Sequence, residues 1–287
     1  MLVKKGFLVY NLSMKYITEN NKIVITDKSE FNPLHIMECG QVFTYEKAED
    51  VYRVFSKNKL AVVKEFDDKV EILTDDVPYF ENYFDLKTDY FQIKQSLRNA
   101  FPQMIEMLEF GNGIRILKQD ILETVVGFII SANNNISRIK NSMAYIRKNL
   151  GQNMGDFYAF PTLEVLAQQD EEFFVKAGLG YRAKQIVKAF KQMQEINFEE
   201  LRNLPTKELK EKLLTINGIG SKVADCILLF AYGKQDVFPV DTWIEKIFKR
   251  YFDQSETDRE KMRFKLLETF GNQAGYAQQY MFYFIRK

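Results

Sequence analysis

Histidine and cysteine are nearly absent. The 287 residues include one histidine, His35, and two cysteines, Cys39 and Cys226. A structural zinc site takes about four Cys/His ligands and an iron–sulfur cluster about four cysteines, so neither can be assembled here within one chain. Serine–histidine or cysteine–histidine catalysis would have to run through His35, whose surroundings lack the glycine pattern of a nucleophile elbow. The two cysteines allow a disulfide, which a reducing compartment disfavours. Proline is scarce at six residues, and with fourteen glycines there is no room for a long low-complexity tail. No apolar run approaches the roughly 18 residues that span a bilayer, and the opening residues Met1 to Tyr10 offer too short an apolar stretch for a secretory signal. The expectation is a soluble cytoplasmic protein without metal, cofactor or membrane contact. Any catalysis must rest on lysines and carboxylates.

Charge of one sign is also lacking. The chain carries 40 basic and 39 acidic residues, a formal net charge of +1. Residues 1–120 hold 16 Lys/Arg against 19 Asp/Glu, and residues 121–287 hold 24 against 20. Two ordinary solvated surfaces fit that asymmetry as well as a weakly basic second half does. A polyanionic partner would have to be held by a local patch, not by a global field.

What is present divides into two textures. Short β-rich runs at 51–55, 60–66 and 70–73 are separated by polar turns at 56–59 and 67–69, the pattern of an antiparallel meander. The residues from 91 to 108 have helical character. From Asp120 onward the periodicity is that of amphipathic helices. Asp120 with Glu123 forms an N-cap and capping-box pair, and Ser131-Ala132-Asn133-Asn134-Asn135 interrupts the helix that follows. Further helices are expected around 162–176, 182–196, 206–215, 221–232, 242–252 and 256–270. The fold class is therefore α+β, with an N-terminal antiparallel β-sheet domain at 1–117 and a helical body at 118–287.

The most informative stretch is Ile216-Asn217-Gly218-Ile219-Gly220-Ser221-Lys222. One helix ends, two glycines permit a tight turn, and a second helix begins at once, giving a helix–hairpin–helix at 206–232. Free N–H groups at the start of the second helix suit a phosphate. A Gly-x-Gly between helices is often only a connector, but here Lys222 stands in the first turn of the second helix. Nineteen residues later comes Val240-Asp241, with Asp241 placed to cap the next helix.

These residues resemble the helix-hairpin-helix/Gly-Pro-Asp (HhH-GPD) superfamily of DNA glycosylases, and within it the 8-oxoguanine DNA glycosylase/lyases. The similarity runs in patches from about Gly40 to Phe282. It includes the triple asparagine and Arg138, the segment Gly178-Leu179-Gly180-Tyr181-Arg182, and the hairpin with its aspartate. The resemblance implies excision of 8-oxoguanine from double-stranded DNA by base flipping, with cytosine opposite the lesion. Lys222 matches the nucleophile that attacks the sugar C1′ and forms a Schiff base, from which β-elimination cleaves the strand. Asp241 matches the carboxylate that stabilises the cationic sugar. Gly40, Cys226, Gln278 and Phe282 match the base pocket: Gly40 offers its carbonyl to N7–H, Cys226 and Phe282 sandwich the purine, and Gln278 meets its Watson–Crick edge. Asn133 and Tyr181 match residues that fill the vacated stack, and Arg138 and Arg182 those that read the orphaned cytosine. Gly218, Gly220 and Trp243 belong to the DNA contact. Without the family, Cys226 and Phe282 read as core residues, and for Tyr181-Arg182 the alternative is a helix-start loop with a packed ring.

Two positions depart from the family pattern. Trp243 stands where a phosphate-contacting histidine is expected, leaving Lys246, Lys249 or Arg250 to supply the charge. Phe230 replaces a pocket-wall methionine. A monofunctional alkylated-base glycosylase of the same superfamily is a nearby alternative, though it would lack Lys222. A non-catalytic hairpin clamp on DNA is the alternative from another class, and it requires neither Asp241 nor a base pocket. A monomer, nucleoid-associated if bacterial, is the simplest expectation for an enzyme that must enclose bent duplex.

Overall fold

The protein is described by a computed structural model covering residues 7–10 and 14–286. Seven strands form one antiparallel sheet: β1 (Phe7–Tyr10), β2 (Lys15–Thr18), β3 (Lys22–Ile25), β4 (Tyr45–Ala48), β5 (Val51–Ser56), β6 (Lys59–Glu65) and β7 (Val70–Thr74). Their order is β1-β2-β3-β7-β6-β5-β4. Ser56 pairs with Lys59 across the β5–β6 hairpin, and Lys57 takes a φ of +56° in the tight turn between them, the left-handed geometry that two-residue hairpins require. β1, β2, β3 and β4 extend the sheet beyond the meander expected from sequence. Alternate residues such as Ile23, Val54, Val63 and Ile72 point into a core closed by Phe80, Tyr83 and Phe84.

The helices are α1 (Pro33–Glu38), α2 (Val77–Tyr83), α3 (Tyr90–Ala100), α4 (Met104–Phe110), α5 (Ile121–Ser131), α6 (Ile136–Leu150), α7 (Leu163–Ala167), α8 (Glu171–Phe174), α9 (Ala183–Met193), α10 (Thr206–Leu214), α11 (Ser221–Phe230), α12 (Thr242–Tyr251), α13 (Arg259–Phe270) and α14 (Ala274–Ile285). The helical stretch expected over 91–108 is two helices, parted just before Pro102, whose missing N–H and fixed φ break the first. The helix expected at 162–176 is the pair α7 and α8, followed by a wide π turn at Val175–Leu179 that contains Gly178 at φ +85°. α14 was not expected at all.

Asp120 caps α5 by accepting from Glu123 N at 3.0 Å. The return bond of a capping box is not made: Glu123 instead accepts from Lys57 N in the β5–β6 turn at 2.5 Å and from Thr44 Oγ1 at 3.4 Å. One buried carboxyl group thus ties the sheet to the helical body. The body has its own core around Val125, Ile129, Ile186, Phe190, Ile227 and Leu228. A third core joins Tyr90, Leu97 and Met104 to Phe238, Ile247, Met262 and Tyr280. The expected division at 117/118 therefore separates two residue ranges that share a packed interior, because α3 and α4 bury their apolar faces against α12–α14 and not against the sheet.

Candidate active site

The hairpin of α10 and α11 is built on the left-handed φ of Gly218, +84°, which a side chain adopts only with strain. A Cβ on Gly218 or Gly220 would meet nothing within 4 Å, so the turn faces open space. Gly220 is the N-cap of α11 and supplies no side-chain acceptor. The first N–H groups of α11 are therefore available to an anion.

Lys222 lies in that first turn, half-buried, with Nζ 5.6 Å from the centroid of the Phe128 ring. Phe128 stacks on Phe230 at 5.3 Å and 9° and meets the edge of Phe43 at 5.5 Å. Phe230, the departure noted in the sequence, is thus one layer of an aromatic wall beside the lysine. One turn on from Lys222, Cys226 is 4% exposed. Burial pushes its thiol up to about 11, with the Lys222 cation acting in the opposite sense and the Asp241 carboxylate adding to the rise. Both charges thus act on Cys226, which remains a neutral thiol at physiological pH.

Asp241 precedes α12, and its Oδ1 accepts from both Trp243 N and Ile244 N at 2.9 Å. One carboxylate oxygen thus makes both bonds of the cap. Trp243 is 37% exposed, and Lys246 Nζ sits 4.2 Å from its ring centroid, which brings a cation to the place where a histidine was expected. Beneath the hairpin, Asp225 is fully buried and bonded to Lys210 Nζ at 2.8 Å and Arg263 Nε at 2.6 Å. Ser221 Oγ accepts from Lys210 and donates to Glu260. This network ties α10, α11 and α13 together around the lysine.

Gly40 follows α1 at φ +85°. A Cβ there would lie 2.9 Å from Arg286 Nη1, 3.0 Å from Phe282 Cε1 and 3.3 Å from Ile136 Cδ1. Its neighbours are pinned: Cys39 O accepts from Gln279 Nε2 at 2.9 Å, while Gln41 donates to Ile36 O and Arg115 O and accepts from Leu117 N. Gly40 is thereby held rigidly against Phe282. Gln278 is 5% exposed, and its Oε1 has no hydrogen-bond partner within the protein. Sequence reasoning did not single out Gln41, Gln279 or Arg286, whose roles rest on contacts across as many as 240 positions.

Asn133 is exposed at φ +51°, between α5 and α6. Asn135 caps α6 by accepting from Arg138 N at 2.9 Å, and Arg138 itself is exposed. Tyr181 is 82% exposed on the short turn Gly180–Arg182. Arg182 turns the other way. Its Nη1 donates to Ile130 O and Ala132 O and its Nη2 to Ile129 O, leaving only Nε–H and one Nη2–H for any other partner. Arg182 thereby braces the end of α5, and hence the Asn133 loop.

Known proteins resemble this chain along most of its length. Residues 23–125 match the 8-oxoguanine DNA glycosylase N-terminal domain, and residues 126–272 match the HhH-GPD superfamily of base excision DNA repair proteins. A Clostridium acetobutylicum 8-oxoguanine glycosylase/lyase, solved with double-stranded DNA containing cytosine opposite 8-oxoG, superposes with a TM-score of 0.87 at 33% identity, covering 95% of this chain and 97% of that one. The Arabidopsis thaliana N-glycosylase/DNA lyase OGG1 is 36% identical over 63% of this chain, a match that spans 54% of the plant protein. A probable N-glycosylase/DNA lyase of Methanothermobacter thermautotrophicus is 31% identical over 72% of this chain and 74% of its own length. The chain belongs to the HhH-GPD superfamily of base excision DNA repair proteins, and within it to the 8-oxoguanine DNA glycosylase/lyases.

Proposed function

We infer that this protein excises 8-oxoguanine from duplex DNA and cleaves the strand at the resulting abasic site. The observation that carries the reading is Lys222 at an exposed helix start, lining one cavity with Val240, the residue before Asp241. The hairpin N–H groups take a backbone phosphate, and Tyr181 and Asn133 enter the duplex where the lesion leaves the stack, a step that costs a few kcal/mol of unstacking. Arg138, exposed beside the Asn133 loop, reads the orphaned base, with cytosine preferred for its acceptors.

The flipped base lies between Cys226 and Phe282. Gly40 O accepts N7–H of 8-oxoguanine, and Gln278 Oε1 accepts from the N1/N2 edge, which satisfies an acceptor otherwise buried unpaired. Guanine has no N7 proton, so it would set acceptor against acceptor, at a cost of about 1–3 kcal/mol. As the glycosidic bond breaks, its electrons leave with the base, and the carboxylate of Asp241 offsets the positive charge on the sugar. Lys222 Nζ, having given up a proton to the departing base, forms the new bond to C1′. Opening of the sugar ring gives the protonated imine, loss of a C2′ proton follows, and the C3′–O bond breaks to release the strand. The enzyme acts as a monomer in the cytoplasm. Incubation with a duplex bearing one 8-oxoguanine opposite cytosine tests the reading: free 8-oxoguanine and a nicked strand are expected, and an intact strand with no released base would refute it.

A further inference from the structure

Gln278, Phe282 and Arg286 recur every four positions along α14 and its C-cap, and so lie on one face. The two ends of this stripe share an unusual property: Gln278 Oε1 and Arg286 Nη1 are both buried without a protein hydrogen-bond partner. Between them lies the Phe282 ring, with the Arg286 guanidinium carbon 5.0 Å from its centroid. Glu38, a carboxylate lining the same small cavity as Arg286, is already held by Lys47 and Tyr52. An unpaired buried donor costs about 1–3 kcal/mol, and folded proteins leave few such groups. Two of them flanking one aromatic ring, against the glycine that faces the base, call for a ligand that satisfies both.

The chemistry of the lesion supplies that ligand. In 8-oxoguanine the N1 and N2 donors lie at one end of the base and O8 at the other, next to N7–H, while O6 is adjacent to N1. The stripe runs acceptor, ring, donor, which is the order N1/N2, purine plane, O8. Its ends are two helical turns apart, about 12 Å along the axis, and the long Arg286 side chain folds back over the ring to shorten that span. O6 would fall at the Gln278 end, away from the guanidinium. Resting on the function proposed above, we propose that Arg286 reads the lesion directly, donating from Nη1 to O8 beside the Gly40 carbonyl on N7–H. Undamaged guanine carries a C–H at C8 and leaves this donor unpaired. The lesion is thus recognised at two adjacent atoms, by an acceptor at N7–H and a donor at O8.

The test uses the Lys222→Gln protein, which binds without turnover, and compares its affinity for duplexes with 8-oxoguanine or guanine opposite cytosine. Adding Arg286→Leu should lower the lesion-over-guanine affinity ratio about tenfold, the factor that 1.4 kcal/mol represents. Arg286→Lys, which keeps a shorter cation, should give an intermediate ratio. A ratio unchanged in both variants, with guanine-duplex affinity retained, overturns the assignment, as does a loss of affinity for both duplexes alike. A Lys222→Gln protein that shows no preference for the lesion would instead overturn the proposed function itself.

Discussion

Arg263 Nε lies 2.6 Å from Oδ2 of Asp225, a carboxylate three residues beyond Lys222 whose side chain is 1% exposed. The other oxygen of Asp225 holds Lys210 at 2.8 Å. Removing the carboxylate charge leaves two largely buried cations facing each other without an anion. Asp225→Asn should therefore destabilise the protein by about 3 kcal/mol, read as a lower urea midpoint at unchanged slope. A loss below about 0.5 kcal/mol would mean that the cations relax into solvent.

Asp241→Asn separates capping from chemistry. Asparagine caps a helix about as well as aspartate, so the bonds to Trp243 N and Ile244 N survive and the melting temperature should stay close to that of the wild type. Without the charge, base release should fall by about 10²–10³-fold. Equal loss of stability and activity would place Asp241 in the fold alone.

Gly40 and Gly218 share a left-handed backbone but differ in surroundings. Gly40→Ala drives a methyl into Phe282 and the Arg286 tip, so release of 8-oxoguanine should drop about 100-fold while cleavage of a preformed abasic site falls far less. Gly218→Ala meets no atom but strains the turn by about 1–2 kcal/mol and crowds the phosphate site. It should weaken binding to both duplexes equally. Kinetics on the two substrates distinguish these patterns.

Glu123 gives a pH signature. Burial, with Asp120 adding to it, pushes its carboxyl from the ordinary range near 4.5 up to about 8. The folded state thus holds a proton that the unfolded chain releases. Its contribution is fully present below about pH 4.5 and is lost as pH rises through about 8, by at most about 1.4 kcal/mol per unit. Glu123→Gln should flatten the fall in melting temperature between pH 5 and 8. A wild-type melting temperature that does not fall relative to the variant would show that Glu123 stays ionised.

The parts of this molecule legible in the sequence are those with a local signal. β5, β6 and β7 alternate and are bounded by polar turns, so they read directly; β2 and β3 have only four residues each, too few to show a period. α14 was missed because eight of its twelve residues are buried, which erases the amphipathic stripe. At the site, Lys222 and Asp241 announce themselves through the hairpin and the cap that follow the chain. Gln41 and Gln279 do not, because folding brings them partners distant in sequence: Arg115 and Leu117 for Gln41, and Cys39 for Gln279. Nor does the sequence show that the Arg182 guanidinium bonds to carbonyls at the end of α5, about fifty positions earlier.

The central claim is that the Lys222 amine becomes covalently joined to the sugar. Borohydride reduction during reaction with a duplex containing one 8-oxoguanine opposite cytosine tests it most directly. The account predicts a protein–DNA adduct with wild type, none with Lys222→Gln, and none with the undamaged duplex. Release of 8-oxoguanine by wild-type protein with no trapped adduct, or an adduct that persists in Lys222→Gln, would contradict it.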